Sequence, residues 1–297
     1  MHIPVLKSEV LKYIDPEPGR QFIDCTINGG GHAQAILERT GSKGSLLGID
    51  LTPEFIEQLK KKKDKENWDN LKLVQGNYNQ LTEIAYRNDF YPVHGILLDL
   101  GFSSNHLEEI ERGFSFEKDQ RLDMRYNPEQ KLTAAEIVNK KTKPELEELF
   151  FKFGEEKHTA KIVEEIIKAR QKDPIKTTDQ LVSIIKRAVP EYYQKRRLHP
   201  ATKVFQALRI AVNKELQNLE EVLPQAMALL KKGGRLVIIS FHSLEDQRVK
   251  RFFKEQEELG VISVLTPKPI SPHDEEVQNN PRARSAKLRA CQKIINF

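Results

Sequence analysis

Short apolar runs and amphipathic stretches alternate through the first hundred residues. Residues 21–25, 45–50, 71–75 and 95–99 are brief, nearly continuous hydrophobic runs, the pattern of strands buried on both faces. Between them, residues 33–39 and a lysine-rich segment that Pro53 opens and Lys63 closes carry helical spacing. Strands alternating with helices over such short links predict a parallel sheet covered on both sides.

The rhythm then changes. From about residue 105 to 204 the pattern predicts no strand, and four helical windows follow one another at 133–139, 144–153, 155–170 and 178–189. Thr133 and Thr178 sit where N-caps belong, and Glu136 completes a capping box with Thr133. Val204, Leu208, Val212, Leu216 and Leu219 then form one stripe of a long helix, with Pro224 as a candidate kink and Lys232-Gly233-Gly234 as its stop. Residues 235–239 and 261–265 read as a fifth and a sixth strand. A last one, 286–291, begins with apolar and cationic residues in alternation, as a half-exposed antiparallel edge would. The predicted fold is an α/β, doubly wound, mostly parallel sheet interrupted by an all-helical insertion. Its domains are 1–106, the insertion at 107–204, and the return to the sheet at 205–297.

Composition narrows the class. The 297 residues are 38% hydrophobic and 31% charged, with a mean hydropathy of −0.56, and no run approaches the apolar length that crosses a bilayer. The opening residues lack the charged and apolar regions of a signal peptide. Cys25 and Cys291 offer neither a disulfide framework nor a four-ligand zinc site, so a reducing, cytoplasmic setting and no metal are expected. The net charge of +5 matters less than its distribution. Lys186, Arg187, Lys195, Arg196, Arg197, Lys203 and Arg209 face a single acid, Glu191, over that stretch, and Arg282, Arg284, Lys287, Arg289 and Lys293 form a second cluster. Such clusters suit a polyanion, although a solvated basic face has the same composition.

Candidate chemistry gathers at the strand ends. The loop Asp24-Cys25-Thr26-Ile27-Asn28-Gly29-Gly30-Gly31-His32 follows the first strand, where open α/β sheets place ligands and where glycines admit a close ligand and positive φ. Asp50 ends the second strand, where a carboxylate can accept both hydrogen bonds of a ribose diol. A dinucleotide fingerprint needs a third glycine three places after Gly31, and that place holds Gln34. S-adenosylmethionine has no pyrophosphate and fits the loop better. Asp99 closes the fourth strand and could hold the cofactor's ammonium or a target amine; an N-cap or turn is the other role for an Asp there. Tyr78 could stack on an adenine or simply pack. Neither cysteine adjoins the fourth strand, so carbon-5 pyrimidine methylation through a covalent adduct is disfavoured. Direct in-line transfer to an amine or hydroxyl remains open. An acceptor on an amine proton, for which Asp99 is the choice, would raise the amine's nucleophilicity. His242, after the fifth strand, could orient the base or relay a proton.

Taken together, several strings resemble the bacterial small-subunit rRNA cytosine-N4 methyltransferase family (MraW/RsmH). They include Gly29-Gly30-Gly31-His32, Leu97-Leu98-Asp99-Leu100-Gly101, Arg112-Gly113-Phe114-Ser115-Phe116, His199-Pro200-Ala201-Thr202, Ser240-Phe241-His242-Ser243-Leu244-Glu245-Asp246 and Asn280-Pro281-Arg282-Ala283-Arg284-Ser285. The resemblance runs nearly the whole chain. It implies a class I (Rossmann-like) methyltransferase with an inserted helical domain, acting on a decoding-centre cytidine of 16S rRNA in the assembled small subunit. It also implies that Gly30, Gly31, His32, Asp50, Tyr78 and Asp99 contact S-adenosylmethionine. His106 stands where the family usually has glutamine, and Asn28 where small residues are frequent. With Tyr192 and Tyr193, the triplet Lys195-Arg196-Arg197 would grip rRNA, Arg209 belonging to the same basic stretch. Two rivals share the pattern: a nicotinamide-dependent oxidoreductase, weakened by Gln34, and a ribosome assembly factor without turnover.

Overall fold

Residues 4–101 and 111–295 are described by a computed structural model. The chain forms two compact units, Met1–Phe102 with Leu216–Phe297, and Ser103–Glu215. The first is built on a seven-stranded sheet ordered β3-β2-β1-β4-β5-β7-β6, with β1 Gln21–Asp24, β2 Ser45–Asp50, β3 Leu71–Gln75, β4 Val93–Asp99, β5 Leu230–Ser240, β6 Ile262–Val264 and β7 Lys287–Lys293. The pairs β1–β2, β2–β3, β1–β4 and β4–β5 are parallel, and β7 runs antiparallel to both its neighbours.

Alternate residues of these strands feed two separate cores, which is why the strands read as unbroken hydrophobic runs. On one face Phe22, Leu46, Leu97 and Val237 pack with Val10, Ile14, Ile36 and Leu59, which come from helices Lys7–Ile14, Gly31–Thr40 and Pro53–Glu66. On the other, Ile23, Leu47, Leu98 and Ile238 pack with Leu81, Val222, Met227 and Phe253, from helices Leu81–Arg87, Glu215–Leu229 and Ser243–Glu258.

β7 is antiparallel as expected, yet it is no edge, since it lies between β5 and β6. Its cations are inside because each has found a partner. The Arg289 guanidinium, 6% exposed, donates to both Asp246 oxygens at 2.6 and 3.3 Å. The Lys293 ammonium donates to the Met227 and Leu230 carbonyls at 2.8 and 2.6 Å, at the end of helix Glu215–Leu229. Lys232-Gly233-Gly234 also plays a different part from a helix stop. β5 already begins at Leu230, and its register against β4 slips between Val93 and Gly95, with Gly233 at φ 82°.

The second unit is helical among its described residues, with helices Ala134–Lys140, Lys143–Gly154, Thr159–Arg170, Thr178–Ala188, Glu191–Gln194 and Thr202–Asn213. Thr133 and Glu136 form the expected capping box, at 3.1 and 3.2 Å. Thr177, not Thr178, caps the fourth helix and boxes with Gln180. Thr178 is fully buried, and its hydroxyl accepts the Gln120 N–H and donates to the Lys118 carbonyl. The single long helix expected over 204–219 is two helices that break at Lys214, which is left-handed at φ 52°. Neither glycine nor proline marks this break. Asn213 makes it, its amide donating to the Met124 and Arg209 carbonyls and accepting the Tyr126 N–H, which ties the helix end to the 124–126 loop. Helix Thr202–Asn213 belongs to the helical unit, so the return to the sheet lies at Leu216 rather than at 205.

Breaking a buried ion pair from one side leaves an uncompensated charge, at a cost of roughly 3–5 kcal/mol. Arg289→Ala is therefore expected to lower the unfolding free energy by about 3 kcal/mol in urea titrations, with Lys287, 3.5 Å from Asp246, limiting the loss. A loss under about 1 kcal/mol, the scale of an exposed pair, would mean that the pair does not hold β7 in place.

Candidate active site

The chain runs outward from β1 to β2 and β3, then returns to the other side of β1 as β4. That reversal is the switch point of a doubly wound sheet, and the strand ends there are where such sheets bind ligands. Three strands meeting at this place each end in aspartate: Asp24 on β1, Asp50 on β2 and Asp99 on β4. All are buried, at 1%, 6% and 6% exposure. Burial disfavours the charged form. It lifts the Asp24 carboxyl to about 7, against a lowering hydrogen bond from the Thr26 N–H and with a further push from Asp50. Burial likewise lifts Asp50 to about 6, against the N–H groups of Thr52 and Asn28. Asp99 is pushed well above the usual carboxylate range by burial, then by Asp24 and Glu245.

Each carboxylate is engaged differently. Asp50 Oδ2 accepts the Asn28 N–H at 2.9 Å and Oδ1 the Thr52 N–H at 2.8 Å, so Asp50 ties the glycine loop to the end of β2. Asp24 Oδ1 accepts the Thr26 N–H at 3.1 Å. Asp99 Oδ2 lies 3.8 Å from His32 Nε2, while Asp99 Oδ1 is buried with no hydrogen-bond partner among the described residues. His32 is itself buried in the first turn of helix Gly31–Thr40.

The loop glycines are accounted for by protein contacts. Gly30 holds φ 75°, and a Cβ there would sit 2.7 Å from Leu59 Cδ2; at Gly31 a Cβ would meet Pro4 at 3.1 Å. Their bareness thus serves packing and a left-handed turn rather than recording, by itself, the close approach of a ligand. Tyr78, half-buried in the 3-10 turn Tyr78–Gln80, packs against the core under β3 and β4. His106 lies outside the described residues.

His242 follows β5 as the N-cap of helix Ser243–Glu258. Its Nε2 is 3.2 Å from Glu245 Oε1, and Glu245 Oε2 accepts the N–H groups of Phe241 and His242 at 2.9 and 3.4 Å. Glu245 therefore orients His242 and also acts on Asp99. Three members of this cluster carry no sequence-based assignment: Asp24, Thr26 and Glu245. Asp24 bears the same mark as Asp50 and Asp99, an acid closing a hydrophobic strand. Thr26 and Glu245 become visible only through their hydrogen bonds.

In the helical unit Lys195, Arg196 and Arg197 are all exposed. Lys195 pairs with Glu191 at 2.6 Å, and the Arg196 guanidinium lies 4.7 Å from the Tyr193 ring centre and 5.9 Å from that of Tyr192. Tyr193 is buried and donates its hydroxyl to Glu156 at 2.8 Å, leaving Tyr192, 62% exposed, as the aromatic open to a partner. Arg209 is not part of that surface. It is 8% exposed and its Nε and Nη2 fork onto Glu215 at 2.9 and 3.0 Å, a structural pair inside the unit.

Comparison with known proteins identifies the frame. A model of the MraW methylase family matches residues 1–294. A protein of Fusobacterium nucleatum named ribosomal RNA small subunit methyltransferase H is 43% identical over 312 residues, covering 99% of this chain and 98% of its own. One of the same name from Geobacter sulfurreducens is 44% identical over 308 residues, covering 99% of each. Among solved structures, a rRNA methylase from Streptococcus thermophilus superposes with a TM-score of 0.46 at 9% identity, over 97% of this chain and 94% of that one; this weak likeness carries no argument. With the family model spanning nearly every residue, the chain belongs to the MraW methylase family and is an S-adenosylmethionine-dependent methylase.

Proposed function

We propose that this protein transfers the methyl group of S-adenosylmethionine to the N4 amine of a decoding-centre cytidine of 16S rRNA, within the assembled small subunit and in the cytoplasm. As a member of its family it is a ribosomal RNA methyltransferase. The observation that carries the finer reading is the buried Asp99 Oδ1, an acceptor with nothing to accept among the described residues, at the switch point. A buried unpaired carboxylate costs stability, so its retention points to a partner that arrives with the reactants.

The residues present fit the donor. When bound, S-adenosylmethionine supplies an electrophilic methyl on a sulfonium, and it is cationic overall. A cluster of buried acids suits such a group. The Asp50 carboxylate takes the Asn28 and Thr52 N–H groups and is held further by the Thr52 hydroxyl and the Leu51 N–H, so the hydroxyls of a ribose would share its two oxygens with these donors. Tyr78 would pack beside the adenine, while Gly30, Gly31 and His32 line the entrance of helix Gly31–Thr40. His106, where the family usually has glutamine, would offer one imidazole N–H in its place. Asp99 Oδ1 accepts a proton of the amine, aligning its lone pair, and His242, held by Glu245, orients the base. No thiol competes as nucleophile: burial pushes both Cys25 and Cys291 above their ordinary range. Lys195, Arg196 and Arg197 would neutralise rRNA phosphates, with Tyr192 beside them.

Three tests follow from this arrangement. Unmodified small subunits supplied with labelled donor and then digested should yield label in N4-methylcytidine; label confined to adenosine would overturn the substrate. Asp99→Ala removes both acceptor oxygens, which Asp99→Asn would not, because an amide keeps one. The alanine variant is expected to reduce kcat by about a hundredfold while leaving the melting temperature unchanged or higher, and full turnover would remove Asp99 from the mechanism. A bound cation pulls down the raised pKa values of Asp24 and Asp50, so donor binding at pH 6.5 should release a proton. Affinity should then fall as pH drops through about 7 and about 6, where these carboxylates protonate. Calorimetry in two buffers of different ionisation enthalpy reads the release directly, and identical heats would contradict it.

A further inference from the structure

The pairing of β1 with β4 stops one residue short of where Asp99 needs it. Their register runs Phe22↔Gly95, Ile23↔Ile96, Asp24↔Leu97, and the Cys25 N–H still donates to the Leu97 carbonyl at 2.9 Å. A continued parallel ladder would next take the Asp99 N–H to the Cys25 carbonyl. It goes instead to the Thr26 hydroxyl, at 2.6 Å. On the other side β4 keeps its ladder, with the Leu100 N–H donating to the Ile239 carbonyl at 2.9 Å. Thr26 is in turn fixed by its own loop. Its N–H donates to Asp24 Oδ1, its carbonyl accepts from the Asn28 side chain at 3.0 Å, and its hydroxyl also meets the Asp24 carboxylate.

We propose that Thr26 is a positioning residue of the methyl-transfer site, its hydroxyl replacing the lost strand carbonyl and setting the height of Asp99 above the sheet. The inference rests on Asp99 being the acceptor described above. The hydroxyl accepts from the Asp99 backbone and offers its proton to Asp24, so one side chain links the ends of β1 and β4. An acceptor misplaced by about an ångström can lose a hundredfold in rate. A hydrogen-bonded N–H just before the reactive carboxylate guards against that displacement. Threonine suits the position because its branched Cβ restricts χ1 and holds the hydroxyl in one direction.

Thr26→Val keeps the shape and removes the hydroxyl, while Thr26→Ser keeps the hydroxyl. The first readout needs no turnover: amide exchange at Asp99. Thr26→Val should speed it more than tenfold, and Thr26→Ser should leave it near the wild-type rate. The second is the kinetic split on small subunits. For Thr26→Val we expect kcat to fall ten- to a hundredfold with donor Kd changed less than threefold, and Thr26→Ser to stay within threefold of wild type in both. The third is the acid limb of the kcat profile, which Thr26→Val should move upward, because Asp24 loses a hydrogen bond that stabilises its charge. The groups facing this pair are Asp50, Cys25, Asp99 and, beyond Asp99, His32 and Glu245. Unchanged exchange at Asp99, a Thr26→Val kcat within twofold of wild type, or a parallel loss of kcat and donor affinity would each overturn the proposal. Failure of the Asp99 assignment shows separately, as full turnover by Asp99→Ala while Asp99 amide exchange in the otherwise unaltered enzyme still depends on Thr26.

Discussion

Three acids brought together below the surface of one sheet set the terms for the first unit. Asp24, Asp50 and Asp99 close neighbouring strands, and like charges buried this close resist full ionisation. A fold selected for stability alone would place apolar or amide side chains there. The cluster becomes favourable when a cation shares the space, which is why the acids and the methyl donor form one argument. The topology supplies the meeting point, because only at the reversal between β1 and β4 do adjacent strand ends open a crevice.

The surrounding contacts are devices for holding that crevice open and in register. Asp50 anchors the loop by two backbone hydrogen bonds, Gly30 and Gly31 let the loop turn against Leu59 and Pro4, and Thr26 carries the Asp99 backbone where the ladder ends. Glu245 holds two backbone N–H groups and His242 at the neighbouring strand end. The next residue, Asp246, is paired with Arg289, which keeps β7 in the sheet. Site and scaffold thus share helix Ser243–Glu258.

Much of this was readable in the chain. The strands announce themselves because burial on both faces makes them continuous hydrophobic runs, and an acid at the end of such a run is a signal needing no structure. The same signal is present at Asp24, which closes β1 just before the glycine loop. The sequence-based expectations failed where side chains override local propensity. Arg289 and Lys293 look solvent-facing until Asp246 and two carbonyls account for them. Lys214 breaks a helix because Asn213 bonds a loop 89 residues earlier in the sequence, at Met124. Arg209 reads as part of a basic surface, while Glu215 draws it inside. Thr177 and Thr178 are equally good caps by composition, and only the pull of Gln120 and Lys118 on Thr178 decides between them.

The claim that everything else depends on is the location of the donor. Hydrogen exchange with and without S-adenosylmethionine tests it most directly. Slowed exchange should concentrate in the loop after β1, at residues 24–32, and at the ends of β2 and β4, around Asp50 and Asp99. Protection elsewhere in the chain, with these three segments unchanged at saturating donor, would contradict the account.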